Sequence, residues 1–253
     1  DASTRSKSGV LLPSPGEIES AIPTDWDNEE NPFLSMGKDK FSRLDGSPDD
    51  IFYTDPRFVE HVDENAVALM TKYINEVLRP NDSILDLCSS WTSHINPQHP
   101  TFSRVVGLGM NAEELKNNPS LTQWTVQDLN VSPKFPYDDE SFDVVLCQLS
   151  IDYLTKPLEV MKEVGRILRP GGMVHIMYSN RLFIQKAVGL WTGADDVDHT
   201  YVVGCYLHFC NGGFSEISAQ DLSTRKGRQK IIEGDPVYVV RATKSNNSVK
   251  LQE

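Results

Sequence analysis

Apolar runs and their spacing cut the chain into alternating strands and helices. The run FDVVLCQL over 142–149 is almost unbroken and rich in Val, the pattern of a parallel strand buried on both faces. Over 156–168, Leu158, Met161, Val164, Ile167 and Leu168 recur at helical spacing and make one apolar stripe. Arg169-Pro170-Gly171-Gly172 predicts the end of that helix, because Pro cannot continue the ladder and Gly takes a left-handed cap. MVHIMY over 173–178 is then the next strand. Strand, helix and strand form a crossover unit, so a parallel α/β sheet follows.

Shorter runs extend the sheet in both directions. Strands are predicted over 83–87, 104–108 and 123–126 upstream, and a last pair begins at Phe214 and runs over 237–242. Asp55-Pro56 reads as a helix start, Asp capping and Pro in first position, which places Arg57 and His61 on one helical face. A second helix over 64–78 carries Val67, Leu69, Met70, Ile74 and Val77 inward and stops at Arg79-Pro80. Downstream, 186–191 reads as helical with one apolar side, and 201–209 as an amphipathic helix. Residues 1–50 have no steady period and are dominated by Pro, Gly, Ser and acidic residues. Such a segment buries too little by itself to offset its ordering entropy. It still holds Val10, Leu11, Leu12, Ile18, Ile22, Trp26, Phe33 and Leu34, so an arm over its own domain competes with an arm that binds a protein partner. Three segments result: an extended or partly disordered arm over 1–50, a domain over 51–244 and a tail over 245–253.

Composition narrows the function. A hydrophobic content of 39% supports a real core, and a net charge of −12 opposes a nucleic-acid surface, which needs clustered Lys and Arg. The one basic cluster, Arg225 to Lys230, reads as a solvated loop. No apolar run approaches the roughly 20 residues of a membrane span. Cys88, Cys147, Cys205 and Cys210 lack metal-ligand spacing, so no metal site is expected and a reducing compartment is. The expectation is a soluble intracellular protein, in the cytosol or in an organelle stroma if a targeting peptide has been removed.

The block FPYDDESFDVVLCQLSIDYLTKPLEVMKEVGRILRPGG resembles the second half of a class I S-adenosylmethionine-dependent methyltransferase of the small-molecule, type 11-like kind. The resemblance extends from about Phe52 to Lys244. It implies a doubly wound, mostly parallel seven-stranded sheet with helices on both faces and an antiparallel edge hairpin. It also implies S-adenosylmethionine as cofactor and a small-molecule acceptor as partner. At the end of the first strand the family carries an acidic residue and a glycine-rich loop. Here Asp86 is followed by Cys88, Ser89, Ser90 and Trp91, small residues with one bulky exception and no glycine. Where the family places an acid for the ribose hydroxyls stand Gly109, Met110 and Asn111; Asn111 offers one carbonyl, or serves as the cap of the next helix. Asp128, with Leu129, matches the adenine position, against a turn-capping reading. Gln148, Ser150, Asp152 and Tyr153 fall in the loop between cofactor and acceptor, where Asp152 alternatively caps a helix.

The resemblance thus implies Asp86, Cys88, Ser89, Ser90, Met110, Asn111, Asp128, Leu129, Gln148 and Ser150 around the cofactor. Arg57, His61, Tyr153 and Asn180 are the candidates for acceptor contact, and His61, Asp152 and Tyr153 for catalysis. For Arg57 and His61, a surface arginine and a satisfied histidine remain the competing reading. Two functions stay open. One is methyl transfer to a small acceptor, dominated by positioning and desolvation. The other is a methyltransferase-like chain that no longer catalyses and serves as a binding or assembly subunit, which the glycine-free loop and the apolar amino-terminal arm favour. A nicotinamide-dependent dehydrogenase needs G-x-G-x-x-G after the first strand, and the chain has none.

Overall fold

The computed structural model describes residues 4–5, 11–96, 101–226 and 231–246. Most of residues 1–10, most of the tail and residues 227–230 of the basic cluster lie outside the described residues. Seven strands make one sheet: β1 (Ser83–Ser89), β2 (Arg104–Gly109), β3 (Gln123–Val126), β4 (Phe142–Gln148), β5 (Leu168–Tyr178), β6 (Phe214–Asp221) and β7 (Tyr238–Lys244). Their order across the sheet is β3-β2-β1-β4-β5-β7-β6, with β7 antiparallel to both neighbours and the first five strands parallel. The expected α/β architecture with its antiparallel edge pair is therefore the observed one.

The helices are α1 (Pro15–Ser20), α2 (Asp49–Phe52), α3 (Glu64–Val77), α4 (Ala112–Asn117), α5 (Pro157–Ile167) and α6 (Asp196–Phe209). Asp63 caps α3 by accepting from the Ala66 N–H, and the helix buries Ala66, Met70, Tyr73 and Ile74. Val67, Leu69 and Val77, expected inside, are only partly covered, so the stripe is rotated toward Ala66 and Tyr73. The RPGG segment does end α5, with Gly171 at φ 79°, but it belongs to β5. The strand starts at Leu168 opposite Phe142, and the register then shifts before Val144 pairs with Met173. The turn signal is thus absorbed as a bulge.

Three expectations require correction. No helix starts at Asp55-Pro56; the short helix α2 precedes it, and residues 55–63 form an extended and bent segment. Residues 186–191 are turns, with Val188 bridged to Arg43. The helix expected over 201–209 begins at Asp196, capped by Asp195, and is buried along most of its length, His199 to Leu207. It has no solvent face to be polar because residues 11–41 cover it.

Of the two readings open for the amino-terminal arm, the described part follows the first. Residues 11–52 pack against the chain's own domain. Ser14 and Glu17 form a reciprocal capping box with Pro15 in first position, so α1 folds and buries Ile18. Trp26 stacks on His208 with ring centroids 4.5 Å apart, and Phe33 stacks on Tyr206 at 5.3 Å. Gly204 lets Ile22 and Trp26 approach the helix backbone; a Cβ there would collide with Ile22. Farther on, buried Lys186 holds the segment: its Nζ lies 3.0 Å from Asp45 and 3.4 Å from Asp49 and donates to the Ser47 carbonyl at 2.9 Å. Arg43 closes the cluster on Asp49 at 2.8 Å. Burial works against charge on Asp49, yet the hydrogen bonds from Arg43 and Asn130 and the Arg43 and Lys186 charges hold its carboxyl below the usual range. Among the described residues, no helix is long and apolar enough to cross a membrane.

Candidate functional site

A cavity of about 330 Å³ opens at the carboxyl ends of β1, β2, β3 and β4, roofed by residues 49–62 and closed by the turn after β5. That is where an open parallel sheet presents its ligand crevice. All ten residues expected around a cofactor line it: Asp86, Cys88, Ser89, Ser90, Met110, Asn111, Asp128, Leu129, Gln148 and Ser150. Arg57, His61 and Tyr153 line it too. Two expected residues do not. Asn180 is on the wall of a separate cavity against α1 and α6, while the residues that follow it, Arg181 to Phe183, line the first. Asp152 is 4% exposed, and its Oδ2 is buried without a partner. Burial pushes its carboxyl up to about 8, which suits a neutral acid beneath the wall rather than a base facing the cavity.

The floor is a closed hydrogen-bond network. Asp86, buried at the end of β1, accepts from Ser89 Oγ at 2.6 Å, Ser93 Oγ at 2.7 Å and Gln148 Nε2 at 3.2 Å. Burial lifts its carboxyl above the ordinary range, and those three bonds pull it only part of the way back. Gln148 also donates to the Ser93 carbonyl, which turns its oxygen toward His94 Nδ1 at 2.6 Å. The other ring nitrogen of His94 lies 3.1 Å from Glu60. Both nitrogens face acceptors, an arrangement that favours the protonated ring. Burial opposes that charge, but the Glu60 and Gln148 hydrogen bonds and the fields of Glu60 and Asp86 outweigh it and raise the pKa.

The loop without glycine adopts glycine-like backbone all the same. Cys88 has φ 57° and His94 φ 52°, and Leu149 in the facing loop has φ 50°. Each costs about 1–3 kcal/mol unless the surroundings enforce it. Here β1 and β2 enforce it: the register slips between Leu87 and Ser89, and the Ser89 carbonyl presses on Gly109 so closely that a Cβ there would overlap it. This explains why a glycine, and not an acid, ends β2. A carboxylate does sit one turn later. Glu114, 7% exposed, lines the cavity and accepts from Ser90 Oγ and from the Arg57 backbone N–H, both at 2.7 Å. Sequence reasoning missed it because the resemblance points only to residues 109–111 at the end of β2. Its signal was the Glu three residues into a helix capped by Asn. Asn111 does cap α4, accepting from the Glu113 and Glu114 N–H groups, while its amide donates to the Tyr53 and Thr54 carbonyls. Its oxygen is therefore already engaged. Asp128 Oδ1 holds the turn through the Asn130 and Val131 N–H groups.

The opposite wall is aromatic. Trp91 lines the cavity and donates to the Val59 carbonyl at 3.3 Å, with Phe58 edge-on at 6.5 Å; it joins the loop to the roof and does not plug the floor. Tyr153 Oη accepts from the Phe183 N–H at 2.8 Å, and His61 meets the Phe183 edge at 5.2 Å. Partial burial and the Arg57 charge lower the His61 pKa, leaving a neutral imidazole at pH 7.

Comparison with known proteins agrees with this geometry. Residues 88–176 match the type 11 family described as Methyltransferase domain. A demethylmenaquinone methyltransferase of Lactococcus lactis subsp. lactis is 31% identical over 106 residues, covering 36% of this chain and 40% of that protein. A 27-O-demethylrifamycin SV methyltransferase of Amycolatopsis mediterranei is 27% identical over 127 residues, covering 47% and 46%. The chain thus spans less than half the length of these relatives. Among solved structures, a chain of the complex between the Haloferax volcanii Trm112 methyltransferase activator and a methyltransferase superposes with a TM-score of 0.50 at 16% identity, covering 79% of this chain and 94% of that one. The [4+2]-cyclase SpnF gives 0.52 at 14%, covering 75% and 89%. At such identities the likeness is one of fold, and SpnF shows that this fold carries more than one chemistry. The matched segment carries the end of β1 through most of β5, and over it the chain is similar to the type 11 methyltransferase domain, on a sheet with the Rossmann-like order of class I S-adenosylmethionine-dependent methyltransferases.

Proposed function

We propose that this protein transfers a methyl group from S-adenosylmethionine to a small-molecule acceptor. The observation that carries the reading is the cavity itself: all ten residues expected around the cofactor converge on one site at the carboxyl ends of β1–β4. The residues present suit that cofactor. Asp128 and Glu114 are carboxylates beside the ends of β3 and β2, fit to accept from an adenine amino group and ribose hydroxyls. Met110 and Leu129 add apolar surface for a base. Cys88, Ser89 and Ser90, with the left-handed turn at Cys88, let an amino-acid end approach the backbone.

When bound, S-adenosylmethionine supplies an electrophilic methyl on a sulfonium centre. The protein's part is to fix the acceptor in line, exclude water and accept a proton where the acceptor must lose one. His61, neutral and on the acceptor wall, is the base for that proton; Tyr153, its hydroxyl engaged by Phe183 and its pKa raised by burial and the nearby Asp152, positions the wall. The Haloferax protein is solved with an activator. A protein partner for this chain through residues 1–50 would meet Leu34 and Leu44, large apolar side chains exposed in the described part of that segment. Calorimetric titration with S-adenosylmethionine and S-adenosylhomocysteine is the test. Micromolar binding, with the product bound at least as well, is expected; a folded sample that binds neither defeats the reading.

A further inference from the structure

Arg57 is a cation on the cavity wall without an anion. Its Nη2 donates to the Phe52 carbonyl at 3.0 Å, and its guanidinium lies 4.1 Å over the Phe52 ring, 5.3 Å from Phe183 and 5.8 Å from Tyr53. Its Nη1 is buried and has no hydrogen-bond partner. The neighbouring carboxylate does not serve it: Glu114 takes the Arg57 backbone N–H and the Ser90 hydroxyl. The other cations near the cavity are spoken for, Arg181 by Asp235 at 2.9 Å and Lys186 by Asp45 and Asp49. Among the described residues, no carboxylate pairs with Arg57.

A half-buried guanidinium whose Nη1 is shut off from solvent, held by ring faces and one carbonyl, is a receptor in want of an anion. Its planar fork matches a carboxylate in two parallel bonds. We infer that the acceptor carries a carboxylate on a flat apolar frame, and that Arg57 is its receptor. The rings beside Arg57, Phe183 and Tyr53, continue through Tyr153, 6.1 Å from Phe183, into a wall suited to such a frame. The cavity also limits the charge. Asp49, Glu60, Asp86, Glu114 and Asp128 line it, a field in which a single negative charge is tolerated on Arg57 and a doubly charged phosphate is repelled. The assignment places the anion beside the Phe183 ring in the turn after β5. It rests on the methyl-transfer reading.

The test uses the full chain saturated with S-adenosylhomocysteine and titrated with benzoate and with benzamide, its neutral counterpart. The parent is expected to bind benzoate at least tenfold more tightly than benzamide. Arg57→Gln is expected to abolish that preference while holding S-adenosylhomocysteine within about twofold of the parent, and Arg57→Lys, which keeps charge without the fork, to retain part of it. Equal binding of the two probes by the parent overturns the inference, as does a preference that survives in Arg57→Gln. A tenfold loss of S-adenosylhomocysteine affinity in Arg57→Gln overturns it as well, since the guanidinium then serves the cofactor's carboxylate. The same titration without S-adenosylhomocysteine decides Arg57 even if the parent fails to bind that compound, a failure that defeats the methyl-transfer reading instead.

Discussion

The two walls of the cavity are built on opposite terms. On the β1 side every polar group is spoken for within the protein: Asp86 by two serines and Gln148, His94 by Gln148 and Glu60, Glu114 by Ser90 and the Arg57 backbone. On the side formed by residues 53–61 and the turn after β5, a guanidinium and a set of rings stand with bonding capacity left over. A satisfied network fixes geometry before any ligand arrives, whereas an unsatisfied one is completed by the ligand. The difference suits a site in which one occupant is constant and the other is selected.

The sharpest way to break this contrast is Asp86→Ala. It strands three buried donors, so a loss of about 2–4 kcal/mol in urea denaturation is expected, together with loss of cofactor binding. Arg57→Gln, on the other wall, is expected to change stability by less than about 1 kcal/mol. Equal losses would mean that both walls are scaffold. Next in size is Glu114→Gln, which keeps the shape but removes the charge that two donors share; S-adenosylmethionine affinity should fall by about 1–2 kcal/mol, read by calorimetry. If affinity is unchanged, Glu114 is only a strut. Asp128→Ala is expected to cost a similar 1–3 kcal/mol, and an unchanged affinity would move the adenine elsewhere. Trp91→Gly should weaken binding a few-fold by freeing the roof at Val59. Tighter binding would instead identify Trp91 as a plug.

Asp152 gives a signal of a different kind, one of pH. Its folded pKa of about 8 lies far above that of an unfolded Asp, so the folded chain binds the extra proton between about pH 4 and pH 8 and stability falls as pH rises through that window. Buried His175, lowered to about 4 by burial, acts in the opposite sense: the unfolded chain binds the proton between about pH 4 and pH 6.5, and stability rises with pH there. The two offset one another below about pH 6.5, leaving a decline to pH 8. Asp152→Asn should shrink that decline in a series of thermal melts, leaving the rise due to His175 and the smaller fall that the raised pKa of His94 produces above about pH 6.5. A decline of undiminished size would assign it to another group.

What could be read from the sequence follows the same division. Parallel strands buried on both faces need unbroken apolar runs, so β1, β2, β4 and β5 were legible, and the carboxyl ends of β1, β2 and β4 form much of the cavity floor. The roof was not. Residues 11–52 are held by isolated anchors, Ile18, Trp26, Phe33 and Arg43, each docked on a distant partner, and no period links such positions. Their one local signal was the S-x-x-E capping box at Ser14. Asp55-Pro56 misled because its helix-start chemistry is real but the following residues are bound to α4 and Trp91, and tertiary contacts overrode local preference. Asn180 misled because proximity in sequence to the end of β5 says nothing of the direction in which the chain leaves it.

The left-handed backbone at Cys88, His94 and Leu149 has a thermal consequence. A glycine loop samples many backbone states and must give them up when it closes on a ligand; a side chain in the same conformation leaves few to give up. Cofactor association should therefore carry a smaller unfavourable ordering entropy than it would with a glycine-rich loop, read directly as the entropic part of calorimetric binding. The strain is met once, when the chain folds, and each round of binding begins from a loop that is already set.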